Sequence, residues 1–215
     1  MSLLDDAEIE RLCAQMGLAV TPAQTSALAR YLDLLQHWNA TYNLTSVRER
    51  AAMRSQHLAD CLAVVEPLRR HAAGGRLLDV GSGGGLPGVV IAVLLPEWQI
   101  TCVDAVGKKM AFVRQVAGAL PLHNLRAEHS RIEQLKAPPF KLITARAFAS
   151  LADFTRLTRP LLAQGGTWLA MKGRVPDDEM LALPPDVEVF HVEQLAVPGL
   201  DAERCLVWMR PRAEL

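Results

Sequence analysis

The chain has 215 residues, half of them apolar, and its 23 Lys and Arg balance 23 Asp and Glu. Such a chain can bury a good core as one domain with a modest extension, and zero net charge weighs against a strongly basic nucleic-acid binder. Met1–Glu10 is acidic, without the basic start and apolar run of a signal peptide, and the longest apolar run, Val89–Leu95, stops at Pro96, too short for a membrane span. A cytoplasmic location is therefore expected.

The elements follow from periodicity. From Ala23 to Asn39, after Pro22, apolar residues recur at Leu28, Tyr31, Leu32, Leu35 and Trp38, which predicts a helix. A second helix is predicted from about Glu49 to Leu68, with Met53, Leu58, Cys61, Leu62 and Val65 on one face. On it His57 and Asp60 lie three apart, so they share a face. They either orient a substrate or close a ligand site, or form a buried pair that locks this segment onto the rest. From Arg76 the chain alternates strand and helix: Leu77–Val80, Gly88–Leu95, Ile100–Val103, Lys108–Ala119, Leu125–Ala127, Arg131–Leu135, Leu142–Ala145, Leu151–Ala163 and Thr167–Lys172. Such alternation requires a parallel sheet with helices on both faces. Val187–Gln194 and Cys205–Arg210 then read as an antiparallel pair.

The first predicted strand ends at Asp79 and breaks into Gly81, Gly83, Gly84, Gly85 and Gly88. A glycine-rich turn before a helix brings backbone N–H groups close to a ligand. A P-loop is excluded, because Gly88 is followed by Val89 and Val90 in place of Lys and Ser or Thr. A dinucleotide fingerprint can be drawn through Gly83, Gly85 and Gly88. Against it, a carboxylate at Asp79 suits a cation better than a pyrophosphate, and Pro87 removes a donor near the helix start. S-adenosylmethionine, with an ammonium and a positive sulfur, suits an acidic strand end beside an open turn. Asp104, twenty-five residues on at the end of the next strand, stands where a carboxylate holds a ribose diol, or caps the following helix.

Basic residues cluster at Arg48, Arg50 and Arg54, at Lys108 and Lys109, at Arg146, and at Lys172 and Arg174, several just after predicted strands. There they form a rim that meets phosphates even in a neutral protein. Cys13, Cys61, Cys102 and Cys205 are scattered, show no metal-ligand spacing and read as buried thiols; no metal is expected. His71, His123, His129 and His191 show no partner pattern. The four tryptophans read as packing residues, and aromatics at 5% are too few for an aromatic-lined single-strand RNA binder.

Five ordered motifs carry a resemblance over nearly the whole chain: Asn43-Leu44-Thr45-Ser46, His57-Leu58-Ala59-Asp60, the Asp79–Gly88 turn, Arg146-Ala147-Phe148-Ala149-Ser150-Leu151 and Met171-Lys172-Gly173. The set resembles the RsmG (GidB) family, methyltransferases of N7 of one guanine in 16S ribosomal RNA. The resemblance implies an α/β fold of the class I S-adenosylmethionine-dependent methyltransferase type: Rossmann-like, with a seven-stranded, mostly parallel sheet whose last strand is antiparallel. It also implies a helical N-terminal extension (residues 1–72) before the methyltransferase domain (73–215). By this resemblance Gly81 and Leu86 line the methionine and adenosine side, beside Asp79, Gly83 and Gly85 of the turn. Asp104 takes the ribose, Ile132 and Glu133 flank the adenine, and Arg146 sits beside the transferable methyl. Cys61 stands where a serine is frequent, and Gly84 where Pro or Ala is common.

Guanine N7 carries a lone pair and no proton, so no general base is required, in keeping with a chain that shows no catalytic triad, carboxylate pair or activated cysteine. Arg146 and Asn43 are the expected catalytic residues, Arg146 holding O6, phosphate or cofactor and the Asn43 amide oxygen offsetting the charge of the product base. Arg48, Arg54, Lys108, Lys109, Lys172 and Arg174 are expected to touch RNA. The expected partners are 16S rRNA or the small ribosomal subunit, with no membrane and the chain a monomer. Two rivals stay open: a methyltransferase acting on a small molecule or protein, and a dinucleotide-dependent oxidoreductase or cofactor sensor.

Overall fold

The structure, a computed structural model, describes residues 3–212. Five helices precede the sheet: α1 (Leu3–Gln15), α2 (Pro22–Tyr42), α3 (Arg50–Met53), α4 (Ala59–Leu62) and α5 (Val65–His71). The start of α2 is locally encoded. Thr21 Oγ1 accepts from the Gln24 N–H while the Gln24 amide oxygen accepts from the Thr21 N–H, and Pro22 gives up only an N–H that would lack a helical partner. Helix α1 was not foreseen from the sequence. The helix expected over Glu49–Leu68 is instead broken: a π-helical turn, Arg54–Leu58, joins α3 to α4, and α5 starts anew at Val65. Pro67 explains the second break, since its ring would clash with the carbonyl four residues earlier in a continuous helix, and is tolerated in the first turn of α5.

The sheet follows: β1 (Gly75–Val80), α6 (Gly88–Leu94), β2 (Trp98–Asp104), α7 (Gly107–Ala119), β3 (Leu125–His129), β4 (Phe140–Arg146), α8 (Leu151–Thr158), β5 (Leu162–Lys172), α9 (Asp177–Leu181), β6 (Val187–Leu195) and β7 (Arg204–Pro211). Strand order is β3-β2-β1-β4-β5-β7-β6, with β7 antiparallel to both neighbours and the other pairings parallel, as expected of the fold class. Three boundaries differ from the sequence expectation. Arg131–Leu135 holds only a 3₁₀ turn at Ile132–Gln134; α8 stops at Thr158, ahead of Pro160; and β5 begins at Leu162. Helix α9 was also unforeseen.

Both sheet faces are buried, so the central strands are apolar on alternate residues toward each side. Leu77 faces the core that contains Leu28, Tyr31 and Leu35 of α2 together with α6 and α7, whereas Leu78 and Val80 face Ile143, Phe154 and Trp168. The extension therefore shares one continuous core with the sheet. Cys13, Cys61, Cys102 and Cys205 are buried free thiols, and Trp98, Trp168 and Trp208 are core residues. Strand order reverses between β1 and β4, the place in an open α/β sheet where ligands bind beyond the carboxyl ends of the strands. No helix among the described residues is long and apolar enough to cross a membrane.

Candidate active site

The turn after β1 is built from its glycines. Gly81, Gly83 and Gly85 have φ of 65°, 58° and 86°, in the left-handed region that side chains with a Cβ rarely adopt. Gly88 needs its missing Cβ for a different reason: such an atom would lie 2.5 Å from Cys102 Sγ and 2.9 Å from Asp79 Oδ2. That close approach lets the Gly88 N–H donate to Asp79 Oδ2 at 2.8 Å. Asp79 shares the inward face of β1 with Leu77 and is fully buried, and its Oδ1 has no hydrogen-bond partner. Burial raises its pKa to about 7, against the opposing pull of the Gly88 N–H and Arg146. An orphaned buried carboxylate oxygen at this place fits a cationic ligand group.

Asp104 closes β2 and anchors the turn. Its Oδ2 accepts from the Gly83 N–H at 3.1 Å and its Oδ1 from the Val106 N–H at 2.8 Å, with Lys109 Nζ 3.5 Å away. A cavity of about 320 Å³ opens here, walled by Gly81, Asp104, Ser130, Ile132, Glu133 and Phe148 among others. Of the expected cofactor residues, Gly81, Asp104, Ile132 and Glu133 are thus brought together. Asp79, Gly83, Gly85 and Leu86 are not in its wall, and Arg146 belongs to a neighbouring cavity. Ser130 and Phe148 were not singled out from the sequence.

The second cavity, about 500 Å³, lies on the other side of the β4 end and is walled by His57, Asp60, Arg146, Met171, Lys172 and Arg204 with their neighbours. Arg146 is its hub. Its Nη1 lies 3.5 Å from Asp60 Oδ2 and 3.4 Å from His57 Nδ1. Asp60 Oδ1 accepts from Arg204 Nε at 2.9 Å, and His57 Nε2 meets Thr45 Oγ1 at 2.6 Å. His57 and Asp60 therefore do not face one another as a pair; both turn to Arg146. Burial and then the Arg146 charge lower the His57 pKa from its usual 6.5, so the ring is neutral at pH 7. The Thr45 loop is held by buried Asn39, whose side chain accepts from the Thr45 N–H at 2.8 Å and donates to the Val47 carbonyl at 2.9 Å. Ala147, next to Arg146, is held at φ 65°, a conformation disfavoured for a residue with a Cβ. Neither Arg204 nor Thr45 was assigned a role from the sequence; Arg204 lies 144 residues from its partner Asp60.

Asn43 is exposed, caps the end of α2 at φ 48° and accepts from Arg48 Nη2 at 3.4 Å; it is not part of the cavity wall. Arg48, Lys108 and Arg174 are exposed. Arg54 is paired with Glu8, Lys109 with Asp104, and Lys172 with Glu179 at 2.7 Å. Three of the six expected RNA contacts are thus engaged by carboxylates that only the fold brings near, and Arg48 is engaged by Asn43.

Known proteins share this architecture and sequence. A model of the GidB family, rRNA small subunit methyltransferase G, matches residues 24–207. Ribosomal RNA small subunit methyltransferase G of Leptothrix cholodnii is 62% identical over 92% of each chain, and that of Acidovorax ebreus is 53% identical over 99% of this chain and 100% of its own. Among solved structures, TrmN from Thermus thermophilus superposes with a TM-score of 0.58 at 22% identity, covering 74% of this chain and 53% of its own, a likeness of fold alone. A family match over most of the length, joined to relatives more than half identical across nearly all of it, places the chain in the GidB family of rRNA small subunit methyltransferase G.

Proposed function

We propose that the protein transfers the methyl of S-adenosylmethionine to N7 of a guanine in 16S ribosomal RNA, in the cytoplasm and as a monomer. The observation that carries this reading is the pair of cavities flanking one strand end: Arg146 closes β4 in the larger, and Phe148, two residues on, walls the smaller. The smaller cavity is the donor side. Asp104 and Glu133 offer carboxylates for a nucleoside's hydroxyls and amine, Ile132 and Phe148 offer apolar faces for its base, and buried Asp79, which does not line the cavity, places a carboxyl with one unpaired oxygen behind it on the side given to the ammonium. S-adenosylmethionine, when bound, would supply an electrophilic methyl on a positive sulfur, the S–CH3 bond breaking as N7 bonds to the methyl, with neutral S-adenosylhomocysteine as the leaving product and the positive charge passing to the base.

The larger cavity takes the acceptor nucleotide, extruded from its stack as base-modifying enzymes require. Its volume of about 500 Å³ accommodates a base with its phosphate, and Arg204 and Lys172 supply cations for the latter. Because N7 of guanine bears no proton, a neutral His57 has no proton to remove and serves to hold the Thr45 loop and Arg146. A guanidinium only donates, so Arg146 aimed at N7 would block the attacking lone pair. Asp60 and His57 turn it aside, toward O6 or phosphate. What the chain contributes is then alignment and the exclusion of water. Exposed Arg48, Lys108 and Arg174 meet the RNA backbone directly; Arg54, Lys109 and Lys172 do so by exchanging a carboxylate for a phosphate.

The test uses small subunits and 16S rRNA that lack the modification, incubated with the protein and methyl-labelled cofactor. Borohydride reduction and aniline treatment then cut the RNA at 7-methylguanine. One new cut that needs both protein and cofactor is expected. Label in a protein or small molecule with the RNA uncut would overturn the reading. For Asn43, which lies outside the cavity wall, the catalytic role requires that Asn43→Gly, which keeps the left-handed backbone and removes the amide, lower kcat; full turnover would end that role.

A further inference from the structure

We propose that His71, His191 and Glu193 form a binding site for a divalent transition-metal ion of the zinc class. Metal-ligand spacing is invisible in the sequence here because the three residues come from two distant elements. His71 ends α5, while His191 and Glu193 are two apart on β6 and so share a face. One ligand atom from each lies within 4.8 Å of the others.

Their partners leave these atoms available. The His71 and His191 rings stand 5.1 Å apart, centroid to centroid, and among the described residues neither makes a hydrogen bond. Glu193 Oε1 is held by Arg70, whereas its Oε2 is buried, has no hydrogen-bond donor and lies 3.7 Å from His191 Nε2. An unpaired buried carboxylate oxygen costs free energy unless a cation or donor meets it. A register irregularity between Val189 and His191 re-aims this part of β6, a common use of bulges.

Two imidazoles and one carboxylate are a donor set for zinc, with water in the fourth position. In a tetrahedral zinc site the ligand atoms stand about 3.4 Å apart, given bonds of about 2.1 Å. Closure to that spacing takes a shift of the His71 ring, which is exposed at a helix end and packs on Trp208 with centroids 4.9 Å apart. The charge of Arg70 opposes the ion, so affinity in the micromolar range is expected. The site would pin the helical extension to the edge strand whose end, Leu195, walls the larger cavity. It does not depend on the methyl-transfer reading.

The test takes the full chain, stripped of metal by a chelator and titrated with zinc chloride in a calorimeter. One ion per chain is expected, with a melting temperature that rises with zinc. His71→Ala and His191→Ala should each weaken binding by at least the roughly 10–100-fold that losing an outer-shell partner costs, and both should abolish the thermal shift. Glu193→Gln, which keeps the side chain's shape, should weaken it too, and His123→Ala should change nothing. Cobalt in place of zinc should give visible bands of a tetrahedral nitrogen and oxygen site. A thiolate-to-cobalt absorption, unchanged affinity in the His71→Ala and His191→Ala variants, or no saturable binding would each overturn the proposal.

Discussion

The Tyr31 hydroxyl donates to the Gly84 carbonyl at 2.8 Å, fully buried and 53 residues apart in sequence. By this contact a helix of the extension holds the glycine turn from behind, and Leu35 packs on the same residue: a Cβ at Gly84 would lie 3.1 Å from Leu35 Cδ1. The extension is therefore part of the donor site's support. Tyr31→Phe strands a buried carbonyl and should cost about 1–2 kcal/mol of stability. Its larger effect should fall on cofactor affinity, with kcat at saturation little changed. Urea unfolding and calorimetric titration with S-adenosylmethionine measure the two.

Gly81 and Gly88 should respond differently to alanine. At Gly88 the added methyl meets Cys102 and Asp79 in a closed core, so Gly88→Ala should lose roughly 3 kcal/mol. At Gly81 the space within 4 Å is empty and only the left-handed backbone is strained, a cost of about 1 kcal/mol. Gly81→Ala should fold yet bind cofactor poorly, because its methyl projects into ligand space. Equal stability of the two variants would refute the packing argument.

Asp79 makes the free protein less stable as pH rises. Unfolded, its carboxyl titrates near 3.8; folded, it holds its proton to about 7. Between those values the unfolded chain binds fewer protons, so stability falls from about pH 4 to about pH 7 and then levels, by up to roughly 4 kcal/mol. Asp79→Asn should flatten that slope in urea melts taken across the range. A cationic ligand favours the ionised form, so cofactor binding at pH 6 should release protons. Calorimetry in two buffers of different ionisation enthalpy measures the release, which the variant should lack.

Asp60→Asn removes the charge that Arg146 and Arg204 share. Asp60 is buried while both guanidiniums are partly exposed, so the stability loss should be roughly 2–3 kcal/mol, below that of a fully buried pair. The free Arg146 should then swing toward the acceptor. A fall in kcat of about tenfold or more, with KM for small subunits changed less, is the expected split; equal effects on both would mean Asp60 only supports the fold.

What was legible early is what local chemistry encodes. Leu28, Tyr31 and Leu35 recur with a helical period, Leu77–Val80 carries an acidic residue, Asp79, at its last position but one, and Gly81–Gly88 could serve no ordinary strand or helix; each property belongs to a short stretch of chain. The same locality explains the misreadings. Nothing near His57 announces a π turn, and apolar periodicity runs on through Pro67 and Pro160 although the helices break there. The basic residues looked alike until Glu8, Asp104 and Glu179 came beside three of them.

From its residues alone the chain specified a parallel α/β sheet and a glycine turn between two acidic strand ends, because strand period and missing Cβ atoms act over a few positions. Tertiary structure alone decided that Tyr31 props the turn, that Asp60 divides itself between Arg146 and Arg204, and that Asp79 keeps one oxygen unpaired. Those relationships depend on burial and on distances between residues far apart in sequence, and these exist only once the sheet has closed on its helices.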